Sequence, residues 1–207
     1  MEDRTEQLRK IKDEIISAEN SPLYDFRIKN NFLPVIGEGD HYAKIMFIGE
    51  APGKNEALTG RPFCGAAGHI LDELLRSISI ARKDVYVTNI VKDRPPFNRD
   101  PLPEEIEFYA PFLMRQIEII EPEIIATLGR FSMAYIMKKF GLESELKSIS
   151  QIHGKVFIIK DRDGAPKASS ISAPGRIIPL YHPAVAVYGT SKKILKKDFA
   201  VLKKFAE

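Results

Sequence analysis

A glycine-rich segment between an apolar run and a helix constrains the fold of this chain more than any other feature. The apolar run at residues 44–48 predicts a buried strand, and residues 66–76 predict a helix. From residue 49 to residue 68 the chain holds five glycines and two prolines. A strand that breaks into such a segment and then enters a helix leaves backbone N–H groups free at the carboxyl edge of a sheet. Open α/β proteins bind their ligands there, so the sequence predicts a ligand site at this edge.

Buried strands and amphipathic helices alternate along the rest of the chain. This alternation predicts an α/β fold, a three-layer αβα sandwich with a central, mainly parallel four-stranded sheet. The length of 207 residues predicts one domain spanning residues 1–207. Residues 21–42 are expected to be irregular, and residues 143–176 to form a hairpin or flexible insertion with a turn at 161–166. The predicted strands are 44–48, 85–91, 124–128 and 177–181, and the predicted helices are 3–18, 66–76, one beginning at 103, 130–139 and 191–205.

Composition narrows the class of protein. The net charge is +3 and the isoelectric point about 8.8, which permits nucleic-acid binding without requiring it. Cys64 is the one cysteine, so an intramolecular disulfide and a cysteine-based metal cage are both excluded. The N-terminus is charged and lacks a signal core, and no apolar run approaches the ~20 residues of a membrane span. We therefore expect a cytoplasmic, intracellular monomer with no membrane contact.

Three polar residues lie where predicted buried strands end: Glu50, Asn89 and His182. In a parallel sheet these strand ends lie on one edge, so the three side chains are expected to converge. Taken singly, each has an ordinary structural role open to it, such as capping a turn or fixing a loop. Phe63, in the glycine-rich segment, either fills the core or offers a ring face to a planar ligand. Glu56, in the same segment, either supports the site or is only a surface residue.

Several short motifs stand in a fixed order along the chain. They are GEAPG at 49–53, GRPFCGAAG at 60–68, NIVK at 89–92 followed by RPPFNRDP at 94–101, TLGR at 127–130, HGK at 153–155 and YHPA at 181–184. A lone glycine-rich loop would be weak evidence for any one family. This ordered set of motifs resembles the family 4 uracil-DNA glycosylases, and the resemblance spans roughly residues 8 to 205. The resemblance implies an enzyme of base-excision repair that acts on uracil-containing DNA. We expect no cofactor, because the chain lacks the four cysteines on which this family holds its iron–sulfur cluster.

The resemblance also implies a role for each candidate residue. A deoxyuridine flips out of the DNA into the pocket, where Phe63 stacks on the uracil and the Asn89 amide reads its O4 and N3–H. His182 donates to the uracil oxygen O2 as negative charge develops there. Glu50 positions or activates water, or stabilises the cationic sugar. Substrate contacts are assigned to Ala51, Pro52, Gly53, Glu56 and Phe63.

DNA contacts outside the pocket are assigned to Arg94, Val187 and Tyr188. The last two lie in a loop that the family uses to fill the gap left by the flipped base, although packing against the C-terminal helix is an equally ordinary role for them. Other basic residues lie in or beside the loops where phosphates would pass, with solvation as the alternative. These residues are Lys54, Arg61, Lys92 and Arg99. The lysines of the C-terminal helix are interpreted as a solvated face.

The sequence departs from the family pattern at one feature. Family 4 enzymes hold a four-iron cluster on four cysteines, and the corresponding positions here are Ala18, Ser21, Asp93 and Tyr109. Such clusters are held mainly by Cys thiolates, so no iron–sulfur cluster and no metal are expected. We expect packing by Tyr109, more than an exposed ion pair of Asp93, to hold this corner of the fold.

Two other functions remain open on sequence alone. A related branch binds uracil in DNA by covalent capture through a histidine in an inserted basic loop, and residues 175–179, before His182, carry no such loop. A nucleotide- or phosphate-binding α/β protein is disfavoured because no Walker or dinucleotide fingerprint is present. The sequence leaves open the preference for single- or double-stranded DNA, activity on other deaminated bases, and the repair partners.

Overall fold

Four parallel strands form the centre of the fold in the computed structural model, which describes residues 3–159, 174–187, 189 and 192–205. All four are rich in apolar residues, and all of their residues except Arg176 are buried, as a sheet covered by helices on both sides requires. They are β2 (Ile45–Gly49), β3 (Tyr86–Asn89), β4 (Ile124–Leu128) and β6 (Arg176–Leu180). Their order across the sheet is β3-β2-β4-β6.

Helices cover both faces of this sheet. The helices of the described chain are α1 (Arg4–Ser17), α2 (Tyr24–Lys29), α3 (Lys54–Thr59), α4 (Ala66–Ser77), α5 (Pro103–Ile120), α6 (Arg130–Lys139), α7 (Ile149–Ile152) and α8 (Lys192–Lys203). One buried cluster joins the sheet to α1, α5 and α6, and a second joins its other face to α4 and α8. The predicted three-layer αβα arrangement with a mainly parallel sheet is confirmed. No helix in the described part of the chain is long and apolar enough to cross a membrane.

Among the described residues the sheet has six strands instead of the four predicted. The two additional strands, β1 (Glu38–Gly39) and β5 (Phe157–Ile158), pair antiparallel with the edges of the parallel sheet. Each is two residues long, too short to produce the alternation of apolar and polar residues by which a strand is detected in a sequence.

Short helices were also missed. Helix α2 lies in the segment 21–42 that was expected to be irregular, and α3 lies inside the glycine-rich segment. Helix α7 and β5 lie in the first part of segment 143–176. The turn predicted at 161–166 lies outside the described residues.

The strand register brings the carboxyl ends of the parallel strands to one edge. Gly49 pairs with Asn89 across β2 and β3, and Leu128 pairs with Leu180 across β4 and β6. Glu50 directly follows β2, and His182 lies two residues beyond β6. The fold therefore places the three predicted strand-end residues along one edge of the sheet.

A buried chain of hydrogen bonds occupies the corner where the family would hold its cluster. Ser21 Oγ donates to Tyr109 OH over 2.6 Å, and Tyr109 OH donates to Asp93 Oδ2 over 2.5 Å. Arg27 Nη1 donates to the same Asp93 oxygen over 3.1 Å. Ala18 offers no side-chain donor. Because these oxygen atoms already bond one another and none of the four positions offers a thiolate, the corner does not fit an iron–sulfur cluster.

The part expected of Asp93 in this corner was wrong in one respect. The ion pair of Asp93 was expected to be exposed, but Asp93 and Arg27 are 1% and 3% exposed. Arg27 also donates to the backbone oxygens of Ile15 and Ile16, in the last turn of α1. The ion pair therefore ties α1 and α2 to the loop after β3. Both of its charged groups are buried away from water.

Candidate active site

A cavity of about 510 Å³ opens at the carboxyl edge of the parallel strands. This volume lies within the ~300–1,000 Å³ typical of small-molecule sites. Nine of the predicted site residues line it: Glu50, Ala51, Pro52, Gly53, Glu56, Phe63, Asn89, His182 and Val187. Of the remaining two, Arg94 does not line the cavity, and Tyr188 lies outside the described residues. The lining also includes Pro95, Asn98, Arg99 and Ala184.

Asn89 forms the polar wall of the cavity. It is the last residue of β3 and is 2% exposed, and its Oδ1 has no hydrogen-bond partner among the described residues. A buried carbonyl oxygen left without a donor costs free energy, so an oxygen facing a cavity is placed to accept from a ligand. A Cβ atom on Gly49 would lie 2.3 Å from this oxygen and 2.7 Å from the ring of Phe63. Glycine at position 49 therefore keeps the space between them open.

Phe63 forms the aromatic wall. Its backbone is left-handed, with φ of 48°, and its ring is stacked near His182 with centroids 5.5 Å apart. Such a backbone costs a bulky residue ~1–3 kcal/mol and persists only where the surroundings impose it. Here Glu56 Oε1 accepts hydrogen bonds from the backbone N–H groups of Cys64 and Gly65, at 3.0 and 2.8 Å. Glu56 thus fixes the turn that presents the ring. Of the two roles that the sequence left open for Glu56, support of the site and a plain surface position, the contacts favour support.

His182 is held in one orientation with a defined donor. Its Nδ1 accepts a hydrogen bond from the backbone N–H of Ala184 over 3.2 Å. Burial lowers the pKa of His182 to about 4, with Glu56 acting in the opposite direction. At neutral pH the ring is therefore neutral, and because Nδ1 is the acceptor, Nε2 carries the proton. The cavity contains a neutral N–H donor at this wall.

Glu50 is a carboxyl group poised to exchange a proton near neutral pH. Burial raises the pKa of Glu50 to about 7; the charge of Asp100 adds to this effect and that of Arg130 opposes it. Asp100 and Arg130 themselves form an exposed ion pair over 2.5 Å. Neither residue was among the candidate site residues predicted from the sequence. Their positions in the RPPFNRDP and TLGR motifs were the sequence feature that could have identified them. A carboxyl with such a pKa is suited to act as a general base.

The cavity rim is built from the loop after β3. Arg99 forms a two-pronged ion pair with Glu105, at 2.9 and 2.5 Å, and Glu105 also accepts from the backbone N–H of Leu102 at the start of α5. Arg94 donates from Nε to Asn98 Oδ1 over 2.7 Å and lies over the ring of Phe32. These bonds hold the loop in place, and Arg94 is not among the residues that line the cavity.

Lys92 does not belong to the surface that would face DNA. Its side chain is fully buried, and its ammonium group donates to Thr88 Oγ1, the Asn89 backbone oxygen and Gln116 Oε1 at 2.6–2.8 Å. Burial lowers the pKa of Lys92 well below its ordinary value. The expectation that Lys92 lies where phosphates pass was wrong, because these oxygens draw it into the core beneath Asn89. Arg61, similarly assigned, pairs with Glu38 on the surface.

Comparison with known proteins places this chain among DNA-repair enzymes. A family model described as the Uracil DNA glycosylase superfamily matches residues 36–206. A Type-4 uracil-DNA glycosylase of Sulfurisphaera tokodaii is 44% identical over 203 residues, covering 97% of this chain and 86% of the relative. Similar enzymes of Archaeoglobus fulgidus and Saccharolobus solfataricus are 44% and 43% identical, covering 88% and 93% of this chain and 84% and 83% of the relatives.

Proposed function

The chain belongs to the uracil-DNA glycosylase superfamily, and from this premise we propose that it flips deoxyuridine out of DNA and hydrolyses its N-glycosidic bond. The observation that carries the proposal is the meeting of Phe63, Asn89 and His182 in one cavity. Together they offer a ring face, an unpaired amide oxygen and a neutral N–H donor. Acting on DNA, the enzyme would work inside the cell and begin base-excision repair.

Base selection rests on Asn89. Uracil presents N3–H to the unpaired Oδ1 and its O4 to the amide Nδ2, while Phe63 stacks on the ring. Cytosine has no hydrogen at N3 and an amino donor in place of O4, so both polar contacts would fail. A buried site built to bond one pattern rejects the other by leaving its own groups unpaired.

Bond cleavage uses His182 and Glu50. The bond between sugar C1′ and uracil N1 breaks, and its electron pair leaves with the uracil, where His182 Nε2–H stabilises the charge that develops on O2. Water forms the new bond to C1′ and gives its proton to the Glu50 carboxylate. These steps use protein groups and water, and the proposed mechanism requires no metal ion.

The proposal is tested by incubating the protein with a uracil-containing oligonucleotide and then cleaving abasic sites with alkali. We expect strand scission without added metal or nucleotide, unchanged by a chelator. A matched strand with cytosine in place of uracil should stay intact. Retention of the uracil strand without scission would identify a uracil-DNA binder instead, and activity that a chelator abolishes and metal restores would contradict the mechanism.

The pH dependence separates the two catalytic groups. Since the pKa of Glu50 is raised to about 7, its carboxylate form is lost as pH falls through 7. The single-turnover rate at saturating enzyme should therefore rise about tenfold per pH unit below 7 and level off above it. His182, with a pKa of about 4, should add no break between pH 5 and 8.

Glu50→Gln is the matched variant for this profile. It should be slow and nearly independent of pH over the same range, because it has no carboxylate to lose. A wild-type profile that is flat from pH 5 to 8, or one whose slope survives in Glu50→Gln, would exclude Glu50 as the base.

A further inference from the structure

Phe97 is an exposed aromatic residue at the edge of the cavity with no packing role. It is 93% exposed, the highest value among the exposed large apolar residues of the described chain. Single exposed apolar residues are ordinary on protein surfaces. Phe97 is distinguished by its backbone, its position and its charged neighbours.

The backbone holds the ring outward at a cost. Phe97 has φ of 56° and ψ of 21°, and Asn98 follows with φ of 55°. Two consecutive left-handed residues that are not glycine require a surrounding structure that imposes them. Here Pro95 and Pro96 precede the turn, and Arg94 Nε bonds Asn98 Oδ1 across it. The turn is therefore preorganised, and the ring is presented to solvent on a rigid support.

The position of Phe97 is continuous with the cavity rim. Pro95, Asn98 and Arg99 line the cavity, and Phe97 lies between the first two in the chain. Since consecutive Cα atoms are about 3.8 Å apart, the backbone of Phe97 stands within about one residue of the rim. Stacked bases of one DNA strand repeat every ~3.4 Å. A base next to a flipped nucleotide therefore falls within reach of the ring.

The charge beside Phe97 suits a DNA strand. No carboxylate pairs with Arg94 among the described residues; its contacts are the Asn98 amide and the ring of Phe32. Lys54, which lines the cavity from the start of α3, is exposed. Single-strand binding surfaces combine such cations for the backbone with aromatic rings on which bases stack.

We propose that Phe97 is a DNA-binding residue that stacks on a base next to the flipped uridine, in the same strand. The inference rests on the proposed function, which supplies the DNA, and adds a subsite outside the uracil cavity. Stacking requires a ring face, not merely an apolar side chain. Phe97→Trp should therefore retain binding, whereas Phe97→Leu and Phe97→Ala should lose it.

The test measures affinity for a single-stranded 15-mer with a central 2′-fluoro-deoxyuridine that resists cleavage. Phe97→Ala should raise Kd by about 5- to 150-fold, the range expected for one stacked base. Tyr42→Ala is the matched control, because Tyr42 is also an exposed aromatic but precedes β2, at the opposite edge of the sheet. It should leave Kd unchanged. The melting temperature of Phe97→Ala should match the wild type, since the Phe97 ring is almost fully exposed.

A base-deletion series identifies the partner of the ring. Five strands are prepared, each with a single abasic analogue in place of one nucleotide near the uridine. The position of the replacement differs from strand to strand and covers both sides of the uridine. At one position, removal of the base should weaken binding by the wild type. The same removal should cause no further loss of affinity in Phe97→Ala, because the ring that stacks on that base is already absent. Equal additional losses at every position, full binding by Phe97→Leu, or an unchanged Kd in Phe97→Ala would each overturn the inference.

The outcome is separable from that of the proposed function. If the wild type cleaves uracil strands in the alkali assay but shows no coupling between Phe97 and any base, only the stacking subsite is rejected. If the wild type fails to cleave, the glycosylase proposal is rejected, while the coupling at one abasic position still reports whether Phe97 stacks on DNA.

Discussion

His182→Ala is expected to slow single-turnover uracil excision by about 10²–10³-fold while weakening DNA binding far less. The donor is neutral and preorganised, because Nδ1 is occupied by the N–H of Ala184 and Nε2 carries the proton. Its hydrogen bond strengthens only as negative charge develops on the departing uracil, so its loss raises the barrier more than it weakens the bound state. The measurement is the rate at saturating enzyme, beside Kd for the uncleavable 2′-fluoro strand.

The control for His182 is His69→Ala. His69 is an exposed histidine on α4, does not line the cavity, and should show neither effect. The melting temperature of His182→Ala should also be measured, because the ring is stacked near Phe63 and its removal could loosen that wall. An unchanged single-turnover rate in a folded His182→Ala protein would exclude His182 as the electrophile.

The features that sequence reasoning found share a local signal. The four central strands are apolar runs of five or so residues, and each catalytic candidate follows such a run, so a single rule located Glu50, Asn89 and His182 on one edge. The rule works because burial and hydrogen bonding in a parallel sheet determine both the composition of a strand and the edge at which it ends.

The features that it missed depend on partners distant in the chain. Lys92 and Asp93 lie in the loop after β3, where charged residues are normally solvated. The partners that draw them inside are Gln116, 24 residues further on, and Arg27, 66 residues earlier. No local periodicity encodes such pairs. Phe97 was missed for a different reason, because its exposure depends on a local turn that its own residue type does not favour.

Breaking the buried pair of Arg27 and Asp93 is expected to have the largest effect on stability. Asp93→Ala leaves the Arg27 guanidinium in the core without its carboxylate, and losing one partner of a buried pair costs about 3–5 kcal/mol. For a chain of this size that lowers Tm by roughly 6–20 °C. This reverses the small effect expected from sequence, where the pair was taken to be exposed. Tyr109→Phe, which removes one hydroxyl and keeps the ring, should cost only about 1–3 kcal/mol.

Two further variants make this prediction specific. Arg115 and Glu14 form an ion pair between α5 and α1 that is more than 40% exposed on both sides, so Glu14→Ala should cost at most about 1 kcal/mol. The double variant Arg27→Ala with Asp93→Ala should be less destabilised than the sum of the single variants, because no charge is then left unpaired in the core. Additive losses, or an Asp93→Ala protein as stable as Glu14→Ala, would contradict a buried ionic tie. Iron measured in anaerobically purified protein tests the same corner independently: stoichiometric iron, with an absorbance band near ~400 nm, would mean that ligands other than these residues hold a cluster.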